Sequence, residues 1–476
     1  MDDTERAPAR APRRITLTVA AATFMLLLDG TVLNTSLPAI AASLGVRPLQ
    51  LSAVVTVYLL AGAAVLPLAD WLAQRVGLRL LFVASIATFT GASVLCALAQ
   101  DTTHLVLARA LQGLGGGLML PTGRTLALRG ARQDEVIGIT ALLVWPALFA
   151  PVLGPPLGGL LTTYASWHWN FWINVPLGLG AIVLILRWVP RDPPGAARPL
   201  DVRGALGAGL GLVLLLGGLE STAQATGDAA KRGVALLAAA LGVALLVATE
   251  RHLRRSPTPV MSMVPFDQRT FRVATVSGGI LATMALQSTP FLLPLLFQLA
   301  LGRSAIAAGA LLLPYFLGNL AMKTVTTPIL NRFGFRRVLV AAGLCNALAI
   351  GGFALVHGGM PFAALVALLV VAGCARSMLL TAVQTLAFAD IAPPVRGAAS
   401  ALSTVSMQTG VALGVAVAAL TVASSQAVGG RLHPALPDFA AAFLVLAAFC
   451  TVATVAFARL PADAGAAMLR QDAVRS

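Results

Sequence analysis

Asp29 stands inside an otherwise apolar run, Ile15 to Ser36, in the stretch Leu28-Asp29-Gly30-Thr31-Val32-Leu33-Asn34-Thr35-Ser36-Leu37-Pro38. A carboxylate in such surroundings is costly unless it is protonated, paired or turned toward water. Burial disfavours the charged form of an acid, so this residue suits the uptake and release of a proton. The plainer reading is a structural acid permanently paired with an arginine of a neighbouring helix. No comparably deep acid is expected elsewhere in the chain. Arg109 and Gln112 lie three residues apart in another apolar run and so share one helical face. Arg376 falls near the middle of a third run, where it cannot reach an interface, whereas Arg124 and Lys323 lie near run ends and can snorkel.

Other chemistries have no residues to carry them. There is no Gly-Lys-Ser/Thr phosphate loop, no metal-ligand spacing and no nucleophile with a paired base, so no cofactor and no metal are expected, and ATP hydrolysis is not the energy source. Cys96, Cys345, Cys374 and Cys450 all fall within apolar runs and read as small packing residues.

The elements that must position these residues are membrane helices. The chain of 476 residues is 58% hydrophobic and 11% charged, with a mean hydropathy of +0.86, which excludes an ordinary soluble domain. Runs of about 20 apolar residues suffice to span a bilayer. Fourteen such runs are predicted, near 15–36, 49–69, 79–99, 103–125, 136–162, 170–189, 204–219, 233–250, 273–297, 304–328, 338–357, 361–388, 398–424 and 438–458. The net charge of +15 comes from arginines at alternate connections: Arg75 and Arg79, Arg129 and Arg132, Arg191, Arg198 and Arg203, Arg251 to Arg269, Arg332 to Arg337, and Arg396. The other set of connections carries little beyond Arg47, Lys231, Arg232, Arg303 and Arg431. This positive-inside bias predicts both termini in the cytoplasm and argues against nucleic acid as a partner. The first run is too long for a cleaved signal and reads as a retained helix.

An internal repeat sets the organisation. Arg75-Val76-Gly77-Leu78-Arg79 follows the second run, and Arg332-Phe333-Gly334-Phe335-Arg336 follows the tenth. Glycine permits a tight reversal, and recurrence at corresponding places predicts two six-helix halves with the seventh and eighth helices between them. The expected divisions are a cytoplasmic tail 1–14, a first bundle 15–189, an inserted pair with its linkers 190–272, a second bundle 273–459 and a cytoplasmic tail 460–476. Duplicated bundles with a midplane site are the signature of a secondary transporter.

Four motifs then carry a family resemblance. Leu-Asp-x-Thr-x-x-Asn-x-x-Leu-Pro is matched by Leu28, Asp29, Thr31, Asn34, Leu37 and Pro38, and Arg-x-x-Gln-Gly-x-Gly by Arg109, Gln112, Gly113 and Gly115. Gly-Pro-x-x-Gly-Gly is matched by Gly154, Pro155, Gly158 and Gly159, and Trp-x-Trp…Asn-x-Pro-x-Gly by Trp167, Trp169, Asn174, Pro176 and Gly178. Over nearly its whole length the chain resembles the fourteen-helix drug:proton antiporter branch of the major facilitator superfamily. Its second half, through Met322-Lys323, Asn331 to Gly334 and Arg336 to Val340, is similar to multidrug exporters of the bacterial inner membrane.

The resemblance implies an all-α membrane protein of the major facilitator fold that expels amphipathic small molecules from the bilayer-bounded cell in exchange for protons, working as a monomer. It implies proton coupling by Asp29 and Arg109, and a substrate cavity bearing Asn34, Gln112, Arg376 and Lys323. Conformational change falls to Asp70, Arg75, Gly77 and Arg79 and to Gly154, Pro155, Gly158 and Gly159, in a helix bent by Pro146, Pro151 and Pro156 as well. The loop after the second helix departs from the family pattern, with Asp70 in place of a glycine and Gln74 in place of an aspartate, so Asp70 is expected to replace the missing acid from one turn earlier. A dedicated exporter of one metabolite or self-made antibiotic remains the alternative within the fold. A membrane enzyme or sensor would need a catalytic constellation or a soluble appendage that the sequence does not carry.

Overall fold

The computed structural model describes residues 10–129, 136–191, 199–224, 228–392 and 395–465. Arg132, Arg198 and most of both predicted tails lie outside them. Among the described residues, thirteen helices are long and apolar enough to cross a membrane. In chain order, with one further helix, these are α1 (Arg14–Leu44), α2 (Pro48–Val76), α3 (Leu78–Ala97), α4 (Thr102–Leu128), α5 (Leu142–Tyr164), α6 (Trp169–Trp188) and α7 (Val202–Thr222). They continue as α8 (Ala229–Arg255), α9 (Arg269–Ala300), α10 (Ala305–Phe333), α11 (Phe335–Leu355), α12 (Phe362–Ala389), α13 (Arg396–Val428) and α14 (Leu436–Ala458). The further helix is α4. Its 27 residues are long enough, but Arg109, Gln112 and a run of glycines make it less apolar than the rest, and it is enclosed by α1, α2 and α3.

The largest difference from the predicted boundaries is at α1, which continues to Leu44. Asp29 therefore lies at its middle, and about 22 Å of helix at 1.5 Å per residue separates it from the far end, where the shorter predicted run gave about 10 Å.

Both reversals of the repeat are built alike. Gly77 has φ 84° and ψ 149°, and Gly334 has φ 76° and ψ 160°. This region is open almost solely to glycine, so each turn is fixed by the residue the repeat placed there. The start of α1 and the end of α6 meet where Arg14 lies over the Trp188 ring, at 5.7 Å. Arg269 Nη2 at the start of α9 donates to the Arg459 carbonyl after α14, at 2.9 Å. Both chain ends thus leave from one face, called here the terminal face.

The inserted helices α7 and α8 pack closely on each other, and α7 lies against α2 and α13. Their terminal-face end is held by Asp201, which accepts from the Gly204 N–H at 2.9 Å and pairs with His252 Nε2 at 2.9 Å. Burial pushes the Asp201 carboxyl up, but the bonds from Gly204, His252 and Val260 outweigh it and hold it below the usual range.

The two six-helix sets meet chiefly through α5 with α10, α2 with α13, and α1 with α9. Those contacts gather toward the face opposite the termini. Gln298 Nε2 donates to the Thr35 carbonyl at 2.9 Å, and a Cβ placed on Gly159 would stand 2.5 Å from the Ala305 carbonyl. On the terminal side the Ala69–Val76 stretch of α2 packs on α3 and α4 of its own set. The halves are closed on the far side.

Candidate functional site

Asp29 is buried, and two helices, α4 and α6, bring three donors to it. Its Oδ2 accepts from Arg109 Nη1 of α4 at 2.6 Å, and its Oδ1 from Gln112 Nε2 at 2.9 Å and from Asn174 Nδ2 of α6 at 2.8 Å. Ser93 of α3 accepts from Gln112 at 2.8 Å and from Asn174 at 3.2 Å, which orients both amides. Arg109 also donates to Gln112 Oε1 at 2.7 Å and to the Val54 carbonyl of α2 at 3.3 Å, and its guanidinium lies 4.2 Å from the Tyr58 ring. The carboxylate and guanidinium side chains are each 1% exposed. A buried charge is tolerable only when paired and hydrogen-bonded, and this pair is neutral as a unit.

The geometry makes proton and arginine alternatives. A proton on Asp29 would cancel the charge that holds Arg109, so protonation must be matched by movement of the guanidinium toward another partner or water. In the present conformation the pair is shut off from solvent.

The glycines of the fourth-helix motif serve close approach. A Cβ on Gly113 would stand 2.2 Å from the Tyr58 carbonyl, and one on Gly115 would stand 2.7 Å from the Phe89 backbone nitrogen. Small residues there bring α4 near enough to α2 and α3 for Arg109 to lie against Tyr58. In α5, Gly154 and Gly158 admit Thr31 and the Val32 carbonyl of α1, and Gly159 faces Ala305 of α10. Thr31 Oγ1 donates across to the Ala150 carbonyl at 3.2 Å.

The profile of the Major Facilitator Superfamily matches residues 19–286 and 275–472. The chain belongs to the major facilitator superfamily. It is 33% identical over 447 residues to MdtD of Pectobacterium atrosepticum, a protein named for multidrug resistance, covering 94% of this chain and 95% of that one. MdtD of Escherichia fergusonii is 34% identical over 455 residues, covering 94% of each. Among solved structures, the POT family transporter PepTSo superposes with a TM-score of 0.66 at 16% identity, over 97% of this chain and 99% of that one. The nucleoside transporter NupG gives 0.65 at 15% identity, over 93% and 98%. These two show the fold. This major facilitator protein is accordingly a multi-pass membrane transporter and not an enzyme.

The remaining site residues fall in different places. Asn34 is half-buried on α1, five residues beyond Asp29, with its Oδ1 unpaired. Arg376 and Lys323 do not join Asp29. They lie in the other helix set, where Arg376 Nε donates to the Leu286 carbonyl of α9 at 3.2 Å and a terminal nitrogen donates to Gln287 Oε1. Lys323 Nζ of α10 donates to Thr381 Oγ1 of α12 at 2.5 Å. Asp70 is exposed and has no ion-pair partner among the described residues, so it closes no charge latch in this conformation. Arg75 lies over Trp71 at 5.5 Å, and Arg79 reaches the Leu186 carbonyl of α6 at 2.5 Å.

The sequence did not single out Tyr58, Ser93, Gln287 or Tyr315, which carry no motif of their own. Asn174 was visible as a motif position and is the third donor to Asp29. Asp29 is the acid at mid-span; Asp438, 0% exposed near the start of α14, is buried too, as is Glu220, 7% exposed near the end of α7, which accepts from Ser52 Oγ of α2 at 2.6 Å. The predicted seventh run ended at 219, which left this residue outside.

Proposed function

We propose that this transporter exports amphipathic drugs across the bacterial cytoplasmic membrane in exchange for protons. Two six-helix bundles, near 15–189 and 273–459, would rock about the Asp29 site, with α7 and α8 as an inserted pair. The observation that carries the reading is the buried carboxylate of α1, the helix that runs from the Arg109 site to the contact with α9. The MdtD relatives, named for multidrug resistance, support drugs as the cargo. With the terminal face in the cytoplasm, as the arginine bias predicts, the described conformation would be closed to the outside.

In the cycle, Asp29 takes a proton from the outside while substrate leaves, and Arg109 is freed. Inside, the proton departs, Arg109 returns and substrate binds again. One charge crossing 100 mV yields about 2.3 kcal/mol, enough for a roughly fiftyfold gradient per proton. Gly154, Pro155, Gly158 and Gly159 would let α5 slide on α1 and α10, and Asp70, Arg75, Gly77 and Arg79 would reshape the inner turn.

The test is efflux from proteoliposomes driven by a pH gradient, with proton release on substrate addition read in detergent. Asp29→Asn should abolish both. Gradient-driven efflux by that variant would remove Asp29 as the coupling group. Reporter fusions at the C-terminus and within 256–268 should read cytoplasm, and those at Asp228 and Arg431 the outside. A C-terminus outside would overturn the orientation.

A further inference from the structure

Tyr58 and Tyr315 are as far apart in sequence as Gly77 and Gly334, the two turn glycines of the repeat. They occupy the same position of the second helix in each half. Beside each tyrosine lies a buried arginine from the fourth helix of its half, Arg109 at 4.2 Å and Arg376 at 5.9 Å from the ring centroids. Each arginine then reaches the first helix of its half. There the copies diverge: Arg109 meets Asp29, whereas Arg376 meets Gln287, one residue away from the position the repeat spacing gives for Asp29. Arg376 stands ten residues beyond the repeat position of Arg109, so the likeness lies in the tyrosine–arginine pair, with an amide where the first half has a carboxylate.

No acid elsewhere in that half makes up the loss. Between Arg269 and Arg459 the sequence holds Asp390 and Asp438 alone. Asp390, in the connection after α12, is exposed and accepts from Thr270. Asp438 is paired with Arg431 at the opposite face. Arg376 is 8% exposed, and half-buried Lys323 is held by the neutral hydroxyl of Thr381, five residues, or about 7.5 Å of helix, from Arg376 along α12. Two cations thus lie close along one helix with no acidic side chain bonded to either, an arrangement that favours an incoming anion. A cleft lined by Thr283 of α9, Leu380 and Gln384 of α12, and Ser406 and Met407 of α13 lies one helical turn from Gln287 and from Arg376.

We infer that the Arg376–Lys323 cluster is the substrate-charge site, and that it takes the single carboxylate or sulfonate of an amphipathic anion in the position that Asp29 fills in the first half. This deepens the exporter reading by naming the substrate class, and it rests on that reading. The anion would displace Gln287 from Arg376 and Thr381 from Lys323, while its apolar body lies along the cleft. Arg109, already neutralised by Asp29, does not compete for it.

The experiment is equilibrium binding to the purified full-length protein in neutral detergent, followed by fluorescence, with three matched dansyl compounds: dansylglycine, its methyl ester and a trimethylammonium analogue. Dansylglycine should bind at least tenfold more tightly than the ester, and the trimethylammonium compound most weakly. In Lys323→Gln and Arg376→Gln the carboxylate-to-ester affinity ratio should fall toward one, and in Lys323→Glu the cation should become preferred. The ratio is internal to each variant, so a general loss of folded protein does not mimic it. Equal binding of all three by the unmodified protein, preference for the cation, or variants that leave the ratio unchanged would overturn the inference. Displacement of dansylglycine by equimolar phosphatidylglycerol would assign the site to a lipid headgroup and overturn it as well. Efflux of the methyl ester under a pH gradient, measured in parallel, tests the exporter reading separately from substrate charge.

Discussion

Removing Asp29 alone should destabilise the protein, and removing Arg109 with it should restore most of the loss. In Asp29→Asn the Arg109 guanidinium keeps its bonds to Gln112 and Val54 and its contact with Tyr58, but loses the only opposite charge beside it. The new amide also turns a donor either toward Arg109 or toward Gln112 and Asn174, all of which already point donors at that position. Breaking a fully buried pair by removing one partner costs about 3–5 kcal/mol, because the other charge is left uncompensated. Asp29→Asn with Arg109→Gln leaves no charge, and amides can bridge the same space, so the double variant should lie within about 1–2 kcal/mol of the parent. The assay is thermal unfolding of detergent-purified protein, read as a double-mutant cycle over the parent, both single variants and the double. The expected result is a strongly positive coupling, with both singles unfolding at lower temperature than the double. If Asp29→Asn unfolds with the parent, or the double is no more stable than the weaker single, the pair is not the mutual support described here. Neither the single nor the double variant should couple efflux to a pH gradient, which separates stability from transport.

Gly77→Ala and Gly334→Ala should each cost about 1–3 kcal/mol, because an L side chain is strained at φ 84° and 76°. Gly358→Ala, in a connection with open space around it, should be nearly silent in the same unfolding assay. Gly159→Ala would put a methyl group 2.5 Å from the Ala305 carbonyl and should wedge the halves apart on the far side. Distances between labels in 45–47 and 429–435, measured by electron–electron resonance, should lengthen; an unchanged distribution would show that α5 and α10 do not set the closure.

Much of the architecture was legible because it depends on local sequence. Hydropathy over about 20 residues reports bilayer spanning directly, so the predicted runs return as α1 to α14 with shifts mainly at their ends. The glycine of each Arg-x-Gly-x-Arg turn could be read because positive φ selects glycine at a single position. The chemistry of a carboxylate in an apolar run pointed to an arginine partner, and the resemblance to the family named Arg109.

The tertiary structure alone decided which way each helix turns and what meets across the chain. An amide such as Asn174 or Gln287 in a nearly all-apolar helix gives almost no periodic signal, so its facing cannot be read locally. Burial of Glu220 depended on α7 packing against α2, and the polarity of α4 made sense only once α1, α2 and α3 enclosed it. The sequence by itself determined a duplicated, membrane-spanning chain with a deep acid and a deep arginine. The fold determined that one arginine is neutralised within the protein and the other is not, because charge balance depends on side chains brought together from distant helices.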